Sequence, residues 1–355
     1  MKIVRVLLPF LITLIACNPE PAPPLPEPET LLVRAVDISA LPIAEERNFV
    51  FKDEEGSEVD VLAFLQSKGV NTVRLRLWHS PADQHSSLEE VDTFTKRLRA
   101  QGLKLWLSLH YSDDWADPGK QSLPKAWGNI PPGELHDSLS HYTAKVVARL
   151  RPDIIQIGNE INDGFLWPHG RASLSQKQFV SLLDTAIGAV QRVSPETKIM
   201  IHFAGHEGAA DFFAKLDNLH YDQIGLSYYP WWHGKDMAKL EADLAYLKNI
   251  FDKEVLIAET AYPFTLDWND WTNNNIGLET QLILPDFPAN PEGQSDFLVQ
   301  IKKAVIEAKG SGICYWGASW VAFDGPQSAA GSPWENLACF DFEGNALPIV
   351  EVFGE

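Results

Sequence analysis

Two glutamates end short apolar runs, which sets them apart from the other acidic residues of the chain. Glu160 follows Asp153-Ile154-Ile155-Gln156-Ile157-Gly158-Asn159, and Glu259 follows Glu254-Val255-Leu256-Ile257-Ala258. Both runs read as buried strands with helix-like stretches on either side. A carboxylate at the end of a buried strand is costly to desolvate and adds little to packing. Two of them, far apart along the chain, point to one site built from two strands. Paired carboxylates, one giving a proton and the other attacking as a nucleophile, are what cleavage of a glycosidic bond needs. In the retaining form of that reaction the two groups lie about 5–5.5 Å apart. Asn159 has its own reason to precede Glu160, because an amide beside the acid can hold a sugar 2-hydroxyl as positive charge grows on the ring.

Other residues could support this chemistry. In Val73-Arg74-Leu75-Arg76-Leu77-Trp78, period-two alternation puts Arg74, Arg76 and Trp78 on one side and the aliphatic residues on the other. A buried arginine needs a carboxylate partner. Arg76 lies nearer the carboxyl end of its strand and is the expected partner of Glu259, holding it ionised. Arg74 fits a deeper structural ion pair equally well. His110 ends an apolar strand and precedes a loop containing Trp115, which favours a substrate-side role; His202 ends another strand in the same way. With no His-x-His on the first strand and no His-Glu-x-x-His helix, these histidines do not read as a catalytic metal site. In the run Ser227-Tyr228-Tyr229-Pro230, Tyr228 is the expected hydrogen-bond donor to the nucleophile. Trp316 could floor the sugar at the cleaved bond, and Trp320 could support it or simply pack.

The elements that would position these residues alternate along the chain. Strands are expected at Val33 to Ile38, Thr72 to Trp78, Leu103 to His110, Asp153 to Glu160, Lys198 to Phe203, Gln223 to Tyr228, Glu254 to Thr260 and Gly312 to Ser319. Amphipathic helices are expected near Val59 to Lys68, Leu88 to Gln101, Leu135 to Leu150, Gln176 to Val193, Met237 to Asn249 and Ser295 to Lys309, with a weaker one near Ala209 to Leu216. Alternating strands and helices argue for a parallel sheet. Eight such units predict a single-domain α/β fold, the (β/α)8 TIM barrel over residues 31–355. An open doubly wound sheet is disfavoured, because no glycine-rich phosphate loop follows the first strand. Segments after the strands are long and rich in Trp, His, Asp and Gly, whereas those before them are short. A barrel divides chemistry and stability between its two ends in this way.

Composition narrows the partners. The chain has 355 residues, 45% of them hydrophobic, with 29 basic and 48 acidic residues, a formal charge of −19 and 12 Trp. Nucleic acid binding needs a basic face, so this charge argues against it; a neutral polymer is compatible. Solvent-facing Trp can stack on sugar rings, although many Trp are ordinary core. Lys2 and Arg5 precede the apolar stretch Val6 to Ala16, which is too short to span a bilayer and reads as an export signal. It ends Leu14-Ile15-Ala16-Cys17, resembling a bacterial lipobox in which Cys17 is acylated. Residues 18–30 are rich in Pro with several Glu and read as a stiff, solvated tether to a membrane. The expected location is therefore outside the cytoplasm, lipid-anchored at the outer membrane or cell surface, with Cys17 the membrane contact. Cys314 and Cys339 could form a disulfide in an exported protein, or remain as buried thiols.

Taken together, the stretches Gly69–Trp78, His110–Asp113, Trp115–Gln121, Gln156–Asn162, Ile224–Pro230 and Glu259–Pro263 resemble glycoside hydrolase family 53, the endo-β-1,4-galactanases of the clan A barrels. The resemblance covers roughly Arg34 to Trp320. It implies a retaining, monomeric endo-hydrolase of the β-1,4-galactan side chains of type I arabinogalactan in pectin, here in a bacterial lipoprotein form. It carries over Glu160 as acid/base and Glu259 as nucleophile, with a groove shaped in part by the loop from Trp115 to Trp127. No cofactor is implied for catalysis. Some relatives bind calcium after the seventh strand; here that loop holds Asp267 and Asp270 among Asn and Trp, so a structural calcium is possible, and a loop capped by its own Asp and Asn side chains is the alternative. The nearest rival is another clan A endo-glycanase, a β-mannanase or β-1,4-glucanase. A surface lipoprotein that only binds glycan is more distant, since it would not need both glutamates and an arginine.

Overall fold

The computed structural model describes residues 31–354. The expected signal segment, Cys17 and the proline-rich tether lie outside the described residues. Eight parallel strands close into a barrel in chain order: β1 (Val33–Asp37), β2 (Thr72–Leu77), β3 (Lys104–Leu109), β4 (Ile154–Ile157), β5 (Lys198–Ala204), β6 (Gln223–Ser227), β7 (Glu254–Thr260) and β8 (Gly312–Tyr315). Helices α1 (Leu41–Glu46), α2 (Val61–Ser67), α3 (Leu88–Ala100), α4 (Leu135–Leu150), α5 (Gln176–Val193), α6 (Ala209–Ala214), α7 (Pro230–His233), α8 (Met237–Phe251) and α9 (Pro291–Glu307) lie in the connections. This is the (β/α)8 barrel that the alternation predicts.

Local signals explain the helix ends. The Ser87 side chain accepts from the Glu90 amide at the start of α3, Glu89 and Glu90 face its positive end, and Arg97 and Arg99 its negative end. Helix α9 starts earlier than the expected Ser295, because Asn290 caps it by accepting from the Gly293 amide and Pro291 suits the first turn. Strands β4 and β8 are shorter than expected. Gly158 (φ 75°) and Glu160 (φ 49°) break the extended backbone just after β4, and Gly317 (φ 77°) does so after β8.

Period-two alternation sorts the strand residues into two cores. Outward residues such as Val73, Leu75 and Leu77 of β2 join Ile155, Ile201, Leu226 and Ile257 in the layer beneath the helices. Inward residues form a separate plug of Val33, Ala35, Trp106, Ile154, Met200, Leu256, Ala258 and Cys314. Gly225 makes room for it, since a Cβ there would stand 2.6 Å from the Met200 sulfur. Cys314 and Cys339 are both buried free thiols, and Cys314 belongs to the plug rather than to a disulfide.

Strand β7 departs from strict alternation. Leu226 of β6 pairs with Ile257, yet the next residue, Ser227, pairs with Glu259. Against β8, Ile257 pairs with Ile313 and Thr260 with Tyr315. One extra residue is accommodated in β7, a bulge of the kind that redirects side chains beside sites. Leu256 and Ala258 both face inward, so regular alternation would turn Glu259 outward; the bulge turns it in.

The plug predicts a large cost for truncation. Trp106 is fully buried, and Trp106→Ala is expected to lower unfolding free energy by about 3–5 kcal/mol, measured by urea denaturation.

Candidate active site

Above the apolar plug the barrel interior turns polar and opens into a cleft of about 850 Å³. Glu160, Glu259, Asn159, Arg74, Tyr229 and His110 line it, together with Trp115, Trp232, Trp316 and Trp334. The two strand-end glutamates therefore meet in one open cavity at the carboxyl ends of the strands, where a barrel of this type keeps its chemistry.

Glu259 is buried and held by two donors. Arg74 Nη2 donates to Oε1 at 2.6 Å and the Tyr229 hydroxyl donates to Oε2 at 3.0 Å. Both contacts correct the sequence reading. Arg74, not Arg76, pairs with Glu259; Arg74 lies opposite Asp37 in the register and Nη1 also donates to Asp37 Oδ2 at 2.7 Å. Its remaining donors reach Gln156 Oε1, Ser108 Oγ and Asn159 Oδ1. The deeper arginine thus makes the structural pair and the nucleophile contact at once. Arg76 is also buried and lines the cleft, donating to Ser86 Oγ at 3.0 Å between the rings of Trp78 and Trp115, at 4.4 and 4.0 Å. Tyr229, not Tyr228, serves Glu259 because alternation continues past β6. Ser227 and Tyr229 face inward, while Tyr228 turns outward, stacks on Phe297 and donates to the Gly234 carbonyl at 2.9 Å.

Glu160 sits in a left-handed backbone conformation that is uncommon for a residue with a side chain. The preceding Gly158 is also left-handed, and a Cβ there would come 2.5 Å from Ile161. This sharp exit from β4 lets Asn159 and Glu160, adjacent in sequence, both reach the cleft. Glu160 Oε1 accepts from Ser227 Oγ at 2.6 Å. Asn159 is fixed by donating to the Ala116 carbonyl and by accepting from Arg74 and Gln156.

The environments of the two carboxyls differ. Removal from water and the nearby Glu259 charge push the pKa of Glu160 up to about 8, against the opposing pull of Ser227 and Arg74. Burial also raises Glu259, but Arg74 and the Tyr229 hydroxyl resist the shift. The proton is therefore favoured on Glu160 and the charge on Glu259, which alone of the two pairs with Arg74. One group is equipped to give a proton and the other to attack.

The chain's relatives bear on this arrangement. The family model described as glycosyl hydrolase family 53 matches residues 33–353. The chain belongs to glycosyl hydrolase family 53. It is similar to an arabinogalactan endo-β-1,4-galactanase from Cellvibrio japonicus, with 35% identity over 334 residues and 88% of each chain covered. A solved family 53 catalytic domain from Ignisphaera aggregans matches with a TM-score of 0.87 and 39% identity, over 93% of this chain and 98% of that one. A structure from a study of two fungal β-1,4-galactanases gives a TM-score of 0.80 at 29% identity, over 91% and 99% of the two chains.

The other predicted residues of this family 53 barrel divide between the cleft and its support. His110 lines the cleft, with Nδ1 accepting from the Ala116 amide at 3.3 Å, and burial keeps its pKa well below the usual imidazole value. His202 is fully buried behind Glu160 and Asn159 instead of facing the cavity. Trp115 and Trp316 line the cleft, and Trp320 packs behind them with ring centroids 6.3 and 6.1 Å away. Residues missed by sequence reasoning include Asp37, Gln156, Ser227, Trp232 and Trp334. Asp37 and Gln156 carried a visible signal, since each is a polar residue in or ending an apolar strand.

Asp270 lies buried after β7, accepting from the amides of Thr272 and Ser332. The Asp267 carbonyl accepts from Asn274 Nδ2. Asn274 Oδ1, Glu335 Oε2 and Asn336 Oδ1 are buried without a donor, and burial pushes Glu335 up to about 7. Among the described residues no group of three His, Cys, Asp or Glu side chains is arranged to hold a metal ion. Asp270 acts as a loop tie.

The unequal carboxyls predict a specific titration. In carbon-13 NMR of the carboxyl-labelled protein, Glu160 is expected to lose its proton near pH 8. Glu259→Gln removes the like charge and is expected to move that midpoint down.

Proposed function

We propose that this enzyme cleaves internal β-1,4-galactosidic linkages of type I arabinogalactan and pectic galactan by a retaining double displacement. One observation carries the chemistry: the buried Glu259 and the half-buried Glu160 converge in a single cleft, and of the two only Glu259 has an arginine directly upon it. Family membership and the named Cellvibrio relative support the substrate.

The steps follow from the side chains. Glu259 attacks the anomeric carbon as Glu160 passes its proton to the departing glycosidic oxygen. Arg74 and Tyr229 hold the attacking carboxylate in place. The ester that forms carries no charge, so the repulsion that raised Glu160 disappears and its pKa falls. Glu160 then takes a proton from water, the water oxygen displaces Glu259, and the product keeps its β configuration. Asn159 holds the sugar 2-hydroxyl through the transition state. Trp115, Trp316, Trp334 and Trp232 offer ring faces and edges along an open cleft, which suits a polymer bound in mid-chain. Every group in this scheme comes from one chain, so one protomer suffices for catalysis, and no step calls on a cofactor.

We further propose that Cys17 is lipidated after export and that residues 18–30 hold the barrel away from the membrane at the outer membrane or cell surface. The basic and apolar segments before Cys17 support this reading.

Glu160→Gln and Glu259→Gln are each expected to lower turnover on pectic galactan by about 10³-fold or more. Reducing-end release should be strong on galactan and weak on mannan and cellulose, with β-anomeric product seen first by proton NMR. Preference for mannan or cellulose would reassign the substrate, and binding without cleavage would leave a glycan-capturing protein. For the anchor, full-length protein is expected in the bacterial membrane fraction and Cys17→Ala in the soluble exported fraction; equal partitioning rejects lipidation.

A further inference from the structure

The buried groups behind Glu160 form a directed chain of hydrogen bonds. Its direction follows from a donor that cannot reverse. The backbone N–H of Glu160 points at His202 Nδ1, 3.3 Å away. Asn159 Oδ1 also lies 3.1 Å from Nδ1, but its two lone pairs already take Arg74 Nη2 and Gln156 Nε2, each at 2.9 Å. Gln156 cannot flip, because its Oε1 accepts from two groups that only donate, Trp106 Nε1 and Arg74 Nε. Gln156 Nε2 itself stands 2.9 Å from Nδ1. His202 Nδ1 is therefore an acceptor. Burial and the Arg74 charge keep the ring neutral, so its proton is on Nε2. That proton points to Ser227 Oγ at 2.9 Å. With one lone pair of its oxygen taken by histidine, the serine hydroxyl has its hydrogen free to donate to Glu160 Oε1 at 2.6 Å.

We propose that Ser227 is a positioning residue that gives the two carboxyl oxygens of Glu160 different tasks. Oε1 is reserved for the serine hydroxyl, and Oε2 carries the proton that is transferred. Among the described residues no protein donor meets Oε2, so it is the oxygen available to substrate. The loop of bonds closes on itself: the amide of Glu160 sets the histidine tautomer, the histidine orients the serine, and the serine marks one oxygen of Glu160. This inference rests on the acid/base assignment to Glu160 and adds which atom acts.

The serine bond favours the ionised carboxyl, so its loss has a definite sign. The charged and titratable groups around Glu160 are Arg74 from β2, Asp117 after β3, His202 from β5, Tyr229 after β6 and Glu259 from β7. Ser227→Ala leaves all of them in place. The alkaline limb of kcat/KM on galactan, and the carbon-13 titration of Glu160, are both expected to move up by roughly one pH unit, the size of a lost charge-assisted hydrogen bond. A downward move means the carboxylic acid was donating to serine, and it overturns the proposal, as does no move. Ser227→Cys keeps a weaker donor and is expected to shift in the same direction by less; an unshifted or downward titration in that variant also overturns it. If Glu160→Gln retains full activity, the acid/base reading fails by itself, while the NMR titration still decides whether the serine hydroxyl donates to Glu160.

Discussion

Arg74 is the constraint on which the site depends. A guanidinium sealed inside a barrel is affordable only when its charge is met and its donors are filled. Here Asp37 and Glu259 supply the charge, and Gln156, Ser108 and Asn159 take the remaining contacts. The same side chain thus fixes the nucleophile, orients the amide beside the acid and helps lock Gln156. Its planar fork suits this work in a way that a lysine ammonium would not. The apolar plug below gives it a floor, with the Trp106 ring 5.9 Å from the guanidinium carbon.

Functional asymmetry between the two glutamates grows from that one cation. Both carboxyls are desolvated, and burial alone would raise both. Arg74 meets Glu259 directly, and the ionised Glu259 then repels a second negative charge, so Glu160 keeps its proton. Formation of a covalent ester would erase the repulsion and release Glu160 to act as a base. Acid and base behaviour come from one residue because its neighbour changes charge during the cycle, with no movement of the scaffold required.

Much of this was legible in the sequence. The eight strands and most helix boundaries followed from apolar runs and amphipathic periods, and both glutamates stood out as acids where packing gives no reason for acids. Alternation also placed Arg74 and Arg76 inside. It could not say which of them reaches Glu259, because reach depends on the stagger between strands and on a long side chain climbing from the deeper position. The tyrosine choice was recoverable: continuing the period of β6 past Ser227 selects Tyr229 and sends Tyr228 outward. Ser227 and His202 were harder, since a serine in an apolar strand has many ordinary explanations and its role depends on bonds across three strands. The bulge in β7 left no mark in composition or period at all.

That bulge lets two consecutive residues of β7 face the barrel interior, Ala258 in the plug and Glu259 in the cleft above it. Exchanging Ala258 for another small residue preserves the count, and Glu259 stays aimed at the cleft. Removing one residue between Ile257 and Glu259 restores the regular pleat with Glu259 still opposite Ser227 on the inward side, and what is lost is the place of Ala258 in the apolar plug. The extra residue therefore serves the floor beneath the nucleophile, and a single in-frame codon loss there would thin the plug while keeping Glu259 on the inward side of its strand.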